Sequence, residues 1–401
     1  MKSRVLAATL FAATAAAVVV FPYVRSTGAV DAPPGPVVKL DPRAELKPRV
    51  EVVFVLDTTG SMGGLIQAAK EKIWSIASTI ASANQAPEVR MGLVAYRDRG
   101  DAYVTRVVDL SSDLDSVYAT LMDFRAEGGG DGPESVNQAL HEAVHRISWS
   151  SDQDTYRAVF LVGDAPPHMD YANDVPYTET VKVAASRGIV VNTIQCGNLP
   201  ATKRPWQTIA QMGSGSFFNV AQGGSAVAIA TPFDGKLATL SRKLDATRLY
   251  YGSEAERKAK REKLAAAKKL HEGASLASQA RRATFNVSAS GERNLLGEKE
   301  LVDDVSSGRV DLGKVAPAAL PAPMRAMAPE EQKAEVARLA EERKRLRGEI
   351  AEMSARRDAY LAREVEARGG AADSLDQRLF DAVRRQAGKA GITYESDAPR
   401  Y

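Results

Sequence analysis

The sequence predicts an α/β fold, a mainly parallel sheet flanked by helices, followed by helical carboxy-terminal regions. From residue 51 to about residue 250, apolar strand-like runs alternate with helical patterns, the arrangement that builds a parallel sheet with helices on its faces. One pair of runs departs from the alternation. Val89–Tyr96 and Tyr103–Asp109 are separated only by the turn Arg97–Ala102, too short for a crossover, so that pair is expected to be antiparallel. Beyond residue 254 the alternation gives way to charged segments of helical composition.

The chain opens on a segment of a different kind. Lys2 and Arg4 precede an uncharged stretch from Val5 to Val24, the pattern of an export signal with a basic start and an apolar middle. Cleavage after Ala29 would release residues 1–29. The run also reaches the roughly 20 residues that span a bilayer, so an uncleaved anchor contacting the membrane through residues 5–24 is the alternative. No Cys lies near the segment, which excludes lipid attachment there. Either way the protein is expected to be exported, to the periplasm or to the periplasmic face of the inner membrane, or secreted. Residues 30–48, rich in Pro and polar groups, read as a linker.

The body is expected over residues 49–252. Its strand candidates are Val52–Leu56, Val89–Tyr96, Tyr103–Asp109, Ala158–Val162, Ile189–Gln195 and Ser216–Val220, with helices at 63–83, 113–124, 135–148, 177–187, 205–212 and 225–247. An accessory region, 253–313, comes next. Its first part, 254–282, is helical in composition and holds nine basic and four acidic residues; it reads as a solvated Lys-rich helix or as a face meeting an acidic membrane. Residues 284–313 mix short strand and turn signals. The Pro/Ala-rich stretch 314–329 is expected to be an extended or mobile linker. Residues 330–368 read as one long charged helix with ten basic and ten acidic residues. Val336, Leu339, Leu346, Ile350, Met353 and Tyr360 fall on a heptad seam that Arg343 and Arg357 interrupt, so a partly formed coiled coil and a helix packed on a neighbour are both open. Gly369 and Gly370 end it, and the segment 369–401 carries a last amphipathic helix at 375–387.

Composition narrows the function. With 401 residues, 44% of them hydrophobic and 26% charged, the chain can bury a sizeable core. The formal charge is +3, and residues 1–29 contribute three basic residues and no acids, so the remainder is neutral. That argues against a nucleic-acid-binding body. The single Cys196 excludes a disulfide scaffold and reads as a buried strand residue.

The chemistry gathers at strand ends. The first strand ends in Asp57-Thr58-Thr59-Gly60-Ser61, where the alternation of Asp57, Thr59 and Ser61 lets a tight loop aim three oxygens at one point. All-oxygen sets suit hard divalent cations, Mg²⁺ first, with Mn²⁺ or Ca²⁺ as alternatives. A second loop, Gly128-Gly129-Gly130-Asp131-Gly132-Pro133-Glu134-Ser135, and a third, Val162-Gly163-Asp164-Ala165-Pro166-Pro167, should converge with it at the carboxyl end of the sheet, where open α/β folds bind ligands. Asp-x-Thr-x-Ser at a strand end, followed by these loops, resembles the metal-ion-dependent adhesion site of von Willebrand factor type A domains, over about residues 50–250. That family usually has Ser where this chain has Thr59, and Thr in the second loop where this chain has Asp131, with Ser135 four residues on. Bacterial and alpha-kinase-associated members are more similar in carrying Gly-Gly-Gly-Asp. The resemblance implies a Rossmann-like, six-stranded sheet with one short antiparallel edge strand. It also implies a metal held by Asp57, Thr59, Ser61, Asp131 and Asp164, with a coordination position for a carboxylate of a protein ligand. Three carboxylates more than neutralise a dication, so weaker capture of such a ligand and a more structural metal are expected.

Three further features border this site. Asp98, in the turn after the second strand, is a candidate for orienting a ligand or a water, or else half of a surface pair with Arg97. Ser135 is expected to cap the helix that follows it. His168, just past Asp164, can line the ligand mouth or be a plain loop residue. The neighbouring Arg99-Gly100-Asp101 spells an integrin-recognised tripeptide, read as coincidence in a short turn. The rival chemistry is His141-Glu142-Ala143-Val144-His145, the His-Glu-x-x-His of zinc peptidases with Glu142 as general base. It lacks an evident third ligand, since only His168 and His271 remain. Val136, Leu140, Val144 and Ile147 give the same helix an ordinary buried stripe. The expected function is therefore non-catalytic, divalent-metal-dependent protein binding at the envelope. The alternative is an assembly protein with a structural metal, its contacts or self-association made by the carboxy-terminal helix. A zinc metallopeptidase comes after both.

Overall fold

A computed structural model describes residues 48–220, 229–367 and 375–394; the expected export segment, its linker through residue 47 and the glycine pair at 369–370 lie outside the described residues. Among the described residues no helix is long and apolar enough to cross a membrane. The strands are β1 (Arg49–Asp57), β2 (Glu88–Tyr96), β3 (Thr105–Ser111), β4 (Thr155–Gly163), β5 (Ile189–Cys196) and β6 (Ser214–Val220). Helices α1 (Leu65–Ala81), α2 (Leu114–Asp123), α3 (Val136–His145), α4 (Tyr177–Ser186) and α5 (Pro200–Met212) connect them. They form one six-stranded sheet in the order β3-β2-β1-β4-β5-β6. Every neighbouring pair is parallel except β2 and β3, which are antiparallel as their short turn requires.

Both faces of the sheet are buried. Along β1, Val50, Val52, Phe54 and Leu56 enter one core with Trp74 and Ile80 of α1 and Tyr118 and Leu121 of α2. The alternate residues Val53 and Val55 enter a second core with Leu140 and Val144 of α3, Val181 of α4 and Trp206 of α5. A continuous apolar strand is what two buried faces demand. Cys196 is buried at the end of β5. The strand order reverses beside β1, between β2 and β4, and in such sheets the crevice at the carboxyl ends opens at that point. Asp57 pairs in register with Tyr96, and Leu56 with Val162, so Asp57, Asp98 and Asp164 all leave the sheet along one edge.

The helices that follow are α6 (Asp234–Asp245), α7 (Glu254–Gly273), α8 (Leu276–Val287), α9 (Glu292–Leu296), α10 (Leu301–Ser306), α11 (Pro329–Ala367) and α12 (Leu375–Ala387). A Ser253/Glu256 capping box starts α7. This Lys-rich helix is not solvated all round. Lys263, Ala267 and Leu270 are buried, and Lys263 Nζ lies 2.7 Å from Asp113 Oδ1 at the start of α2.

Two expectations are corrected. Residues 284–313 hold the end of α8 and two short helices in place of strands; the Ser and Gly residues that suggested turns sit at the helix ends, and Gly297 closes α9 with φ 65°. The stretch 314–329 is neither extended nor free. Its prolines start short 3-10 turns, and Leu320 and Met324 are buried with Leu301, Val336 and Leu339. The long helix takes the second of its two alternatives. Leu346 and Ile350 pack with Leu237, Leu240 and Ala283 of α6 and α8. The two arginines that interrupt the seam are buried within it: Arg343 grips Glu300 at 2.8 and 3.0 Å, and Arg357 Nε bonds Asp234 Oδ1 at 2.8 Å.

The tail is bolted to the sheet domain through Arg282 of α8. Its guanidinium bonds both carboxylate oxygens of Asp115 in α2, at 2.7 and 2.5 Å, and reaches Asp245 at 2.9 Å. Burial opposes ionisation of Asp115, yet the Arg282 charge and hydrogen bonds hold its carboxyl below the usual range. Removing one partner of such a set leaves buried charge uncompensated. Arg282→Met is expected to cost about 3–5 kcal/mol in urea unfolding, whereas Arg345→Met, which breaks exposed pairs with Glu342 and Glu349, should leave the urea midpoint where it is.

Candidate functional site

The site begins where β1 runs out. Asp57 is fully buried, and Thr59 turns back on it: the Thr59 backbone N–H and Oγ1 both donate to Asp57 Oδ1, at 2.9 and 2.6 Å. Thr59 Oγ1 lies 3.2 Å from Ser61 Oγ, which in turn donates to Asp164 Oδ1 at 2.9 Å. The first and third loops are thus joined through four side chains foreseen in the sequence. Backbone hydrogen bonds hold the second loop against the first, Gly60 N to Gly128 O at 3.0 Å and Glu127 N to Thr58 O at 3.1 Å. Glu134 N to Pro166 O at 2.9 Å and His168 N to Glu134 O at 3.0 Å tie the second loop to the third. From below, Thr202 Oγ1 and Trp206 Nε1 of α5 donate to the carbonyls of Asp164 and Ala165, fixing the third loop.

Burial sets the electrostatics. It pushes the Asp57 carboxyl up to about 7 despite the Thr59 hydrogen bonds, and the nearby Asp164 adds to the rise. Asp164 is raised for the same reason, against its hydrogen bond from Ser61. Among the described residues Asp57 Oδ2 has no hydrogen-bond partner, and neither has the buried Tyr96 hydroxyl. A Cβ on Gly163 would stand 2.9 Å from Asp57 Oδ2 and 2.5 Å from that hydroxyl, so glycine keeps the space beside the carboxylate clear. A buried anion with one bare oxygen, a second carboxylate and two hydroxyls fit a hard dication.

Asp131 does not join this hydrogen-bonded set. Its side chain is exposed and lies 3.7 Å from His168 Nε2, in a cluster with Asp98. The second loop crosses the site, but its Gly-rich backbone turns Asp131 toward the third loop. Asp98 is buried and is not half of a surface pair: Arg97 turns away to Glu127, while Asp98 accepts from Ser135 Oγ at 2.9 Å and Tyr171 OH at 2.8 Å. Ser135 therefore stands at the helix start without capping it through its side chain; its hydroxyl is committed to Asp98. Asp101 accepts from the backbone of Asp98 and Gly129, so the tripeptide containing it serves the loop.

Sequence reading missed Glu134. It is buried between the two groups, and burial followed by the charges of Asp57, Asp98, Asp101 and Asp131 pushes its carboxyl up to about 9. It stands in the second loop just before α3, and the Pro before it was the available signal that this stretch is held rigidly. The His-Glu-x-x-His helix is differently employed. Glu142 accepts from Thr105, Gln138 and Arg146, and His145 Nδ1 lies 2.9 Å from the His141 carbonyl. Among the described residues the metal-type cluster is Asp98, Asp131 and His168, without either of these histidines.

Comparison with known proteins bears on the fold of this part of the chain. The family model described as von Willebrand factor A domain matches residues 51–232. An ariadne-like RING finger protein of Acanthamoeba polyphaga mimivirus is 29% identical over 119 residues, 30% of this chain and 11% of that protein. The von Willebrand factor A domain-containing protein 7 of Rattus norvegicus is 36% identical over 123 residues, 31% of this chain and 13% of the relative. The alpha-protein kinase vwkA of Dictyostelium discoideum is 26% identical over 121 residues, 30% of this chain and 19% of the kinase. The chain thus spans less than a fifth of the length of each of these relatives. A solved von Willebrand factor type A structure from Catenulispora acidiphila superposes with a TM-score of 0.33 at 19% identity, over 43% of this chain and 39% of that one. Residues 51–232 are thus similar to the von Willebrand factor A domain, and their six-stranded, mostly parallel sheet flanked by helices is a fold of that kind, with a helical tail packed onto it.

Proposed function

We propose that this domain is a non-catalytic, divalent-cation-dependent protein-binding module, and that the protein works at the cell envelope. A domain of this family points to a protein-interaction role; the cation is the further step. The observation that carries it is Asp57, a fully buried carboxylate with one oxygen held by Thr59 and the other bare. Mg²⁺ on Asp57, Asp164, Thr59 and Ser61 would balance both carboxylates and offer a further position to an acidic side chain of a protein ligand. Thr59 and Ser61 now donate to the carboxylates, and each keeps lone pairs for an ion. With Asp131 turned elsewhere, two carboxylates face the dication in place of three, which removes the reason to expect weak capture of an acidic ligand. Burial and the surrounding carboxylates push the Glu134 carboxyl up, which opposes a third negative charge at the site. The envelope location rests on the amino-terminal segment alone. The reading in which the carboxy-terminal helices make the contacts has less support, because the apolar seam of α11 is already spent on its own chain.

Two outcomes follow for the full-length protein. Calorimetric titration should show saturable Mg²⁺ binding that Asp57→Ala abolishes, and at a hundred times the dissociation constant the ion should add about 2.7 kcal/mol of stability. Binding that survives in Asp57→Ala would remove the basis of this reading. In chelator, the raised pKa of Asp57 gives stability a definite slope. Below about pH 4 the carboxyl is protonated in both folded and unfolded chains. As pH climbs toward about 7 the unfolded chain ionises first, so stability falls across that window. Asp57→Asn should flatten the fall, as read from urea midpoints at a series of pH values.

A further inference from the structure

A second constellation lies beside the Asp57 site and does not depend on the proposal made for it. Asp98 follows β2, Asp131 sits in the glycine-rich loop and His168 in the loop after β4, and one ligating atom of each lies within 4.8 Å of the others. We propose that these three residues form a separate site for a first-row transition dication, Zn²⁺ by its donor chemistry.

The argument starts from the imidazole. His168 is 4% exposed, and its Nδ1 lies 2.8 Å from Asp170 Oδ1. An ionised carboxylate only accepts, so Nδ1 donates to it, and in the neutral ring Nε2 then presents its lone pair. That lone pair looks at two carboxylates, Asp98 Oδ2 at 3.4 Å and Asp131 Oδ2 at 3.7 Å, and among the described residues Nε2 has no hydrogen-bond partner. A lone pair facing two anions is repulsive unless a cation stands between them. The separations exceed the 2.7–2.9 Å of a charge-assisted hydrogen bond, so a proton on Nε2 fits the gap poorly. Donors held about 2.0–2.2 Å from one ion lie roughly 3.0–3.6 Å apart, close to what is found.

The surroundings orient each donor. Ser135 and Tyr171 hold the two oxygens of Asp98. Tyr171 also stacks on the His168 ring at 4.0 Å, with Arg99 4.0 Å from the Tyr171 ring centre. Asp170 behind His168 completes a carboxylate–histidine–metal arrangement, the usual way a ligand imidazole is fixed in tautomer and direction. One imidazole nitrogen and two carboxylates favour Zn²⁺ and its neighbours over Mg²⁺ or Ca²⁺, and the two anions leave the loaded site neutral. Because Asp131 is 60% exposed, the ion would keep an open side toward solvent, as zinc sites that accept an outside ligand do.

Cobalt tests this on the full-length protein, with excess Mg²⁺ present to occupy the Asp57 site. One equivalent of Co²⁺ should bind with visible absorption and be displaced by Zn²⁺. Affinity should fall at least tenfold in His168→Ala and in Asp131→Asn, the latter an exposed position where the fold is not at stake, and be unchanged in His145→Ala. Absence of Co²⁺ binding, binding that persists in both variants, or binding lost with His145 overturns the proposal. None of these results bears on Mg²⁺ binding, which is read from Asp57→Ala in the absence of transition metal.

Discussion

Asp57 is a carboxylate at the fully buried end of a fully buried strand, and the work of ionising it there sets the terms for the loops around it. Water cannot solvate the charge, so Thr59 bends back to give two hydrogen bonds to one oxygen, and Gly163 keeps the other side clear. Neighbouring carboxyls cannot all ionise in the same low-dielectric space. Burial and the charges around it push the Glu134 carboxyl up to about 9, while Asp98 accepts hydrogen bonds from Ser135 and Tyr171. The parallel register of β1 with β2 and β4 brings these groups together, since it delivers their carboxyl ends to one edge.

Away from that edge, buried charge has a different role. Arg282, Arg343 and Arg357 are each enclosed between helices and each meets a buried carboxylate, Asp115, Glu300 and Asp234 in turn. A carboxylate surrounded by hydrocarbon accepts a guanidinium only in one orientation, so these pairs fix how the tail helices align as well as holding them. The tail thereby becomes a continuation of the sheet domain.

The strands were legible because their chemistry is monotonous. Runs such as Val52–Leu56 can only be buried, and the found strand adds polar ends that the pattern alone could not claim. Helix α5 begins at Pro200, earlier than residue 205, and takes Pro205 into its interior, a position where proline reads in sequence as a boundary. The gathering of Asp57, Thr59, Ser61 and Asp164 at one edge was legible because strand ends deliver them there; the direction of Asp131 and the burial of Glu134 were not, because a glycine-rich loop has no periodicity from which a direction can be read. Arg343 and Arg357 looked like faults in a heptad, since their partners Glu300 and Asp234 lie far away in sequence.

Helix α12 carries a consequence for the order in which this molecule is made. Leu379, Phe380 and Val383 lie in the same core as Val50, Val52 and Phe54 of the first strand, and Gln386 bonds Tyr156 and Asn192 in the middle of the sheet. Part of one face of the sheet, beside the share that α1 and α2 cover, is thus closed by a helix that leaves the ribosome long after β1. At roughly 5–20 residues per second, β1 waits some tens of seconds for its cover. During synthesis the part of that face beneath α12 is an apolar surface that stays uncovered until the helix arrives.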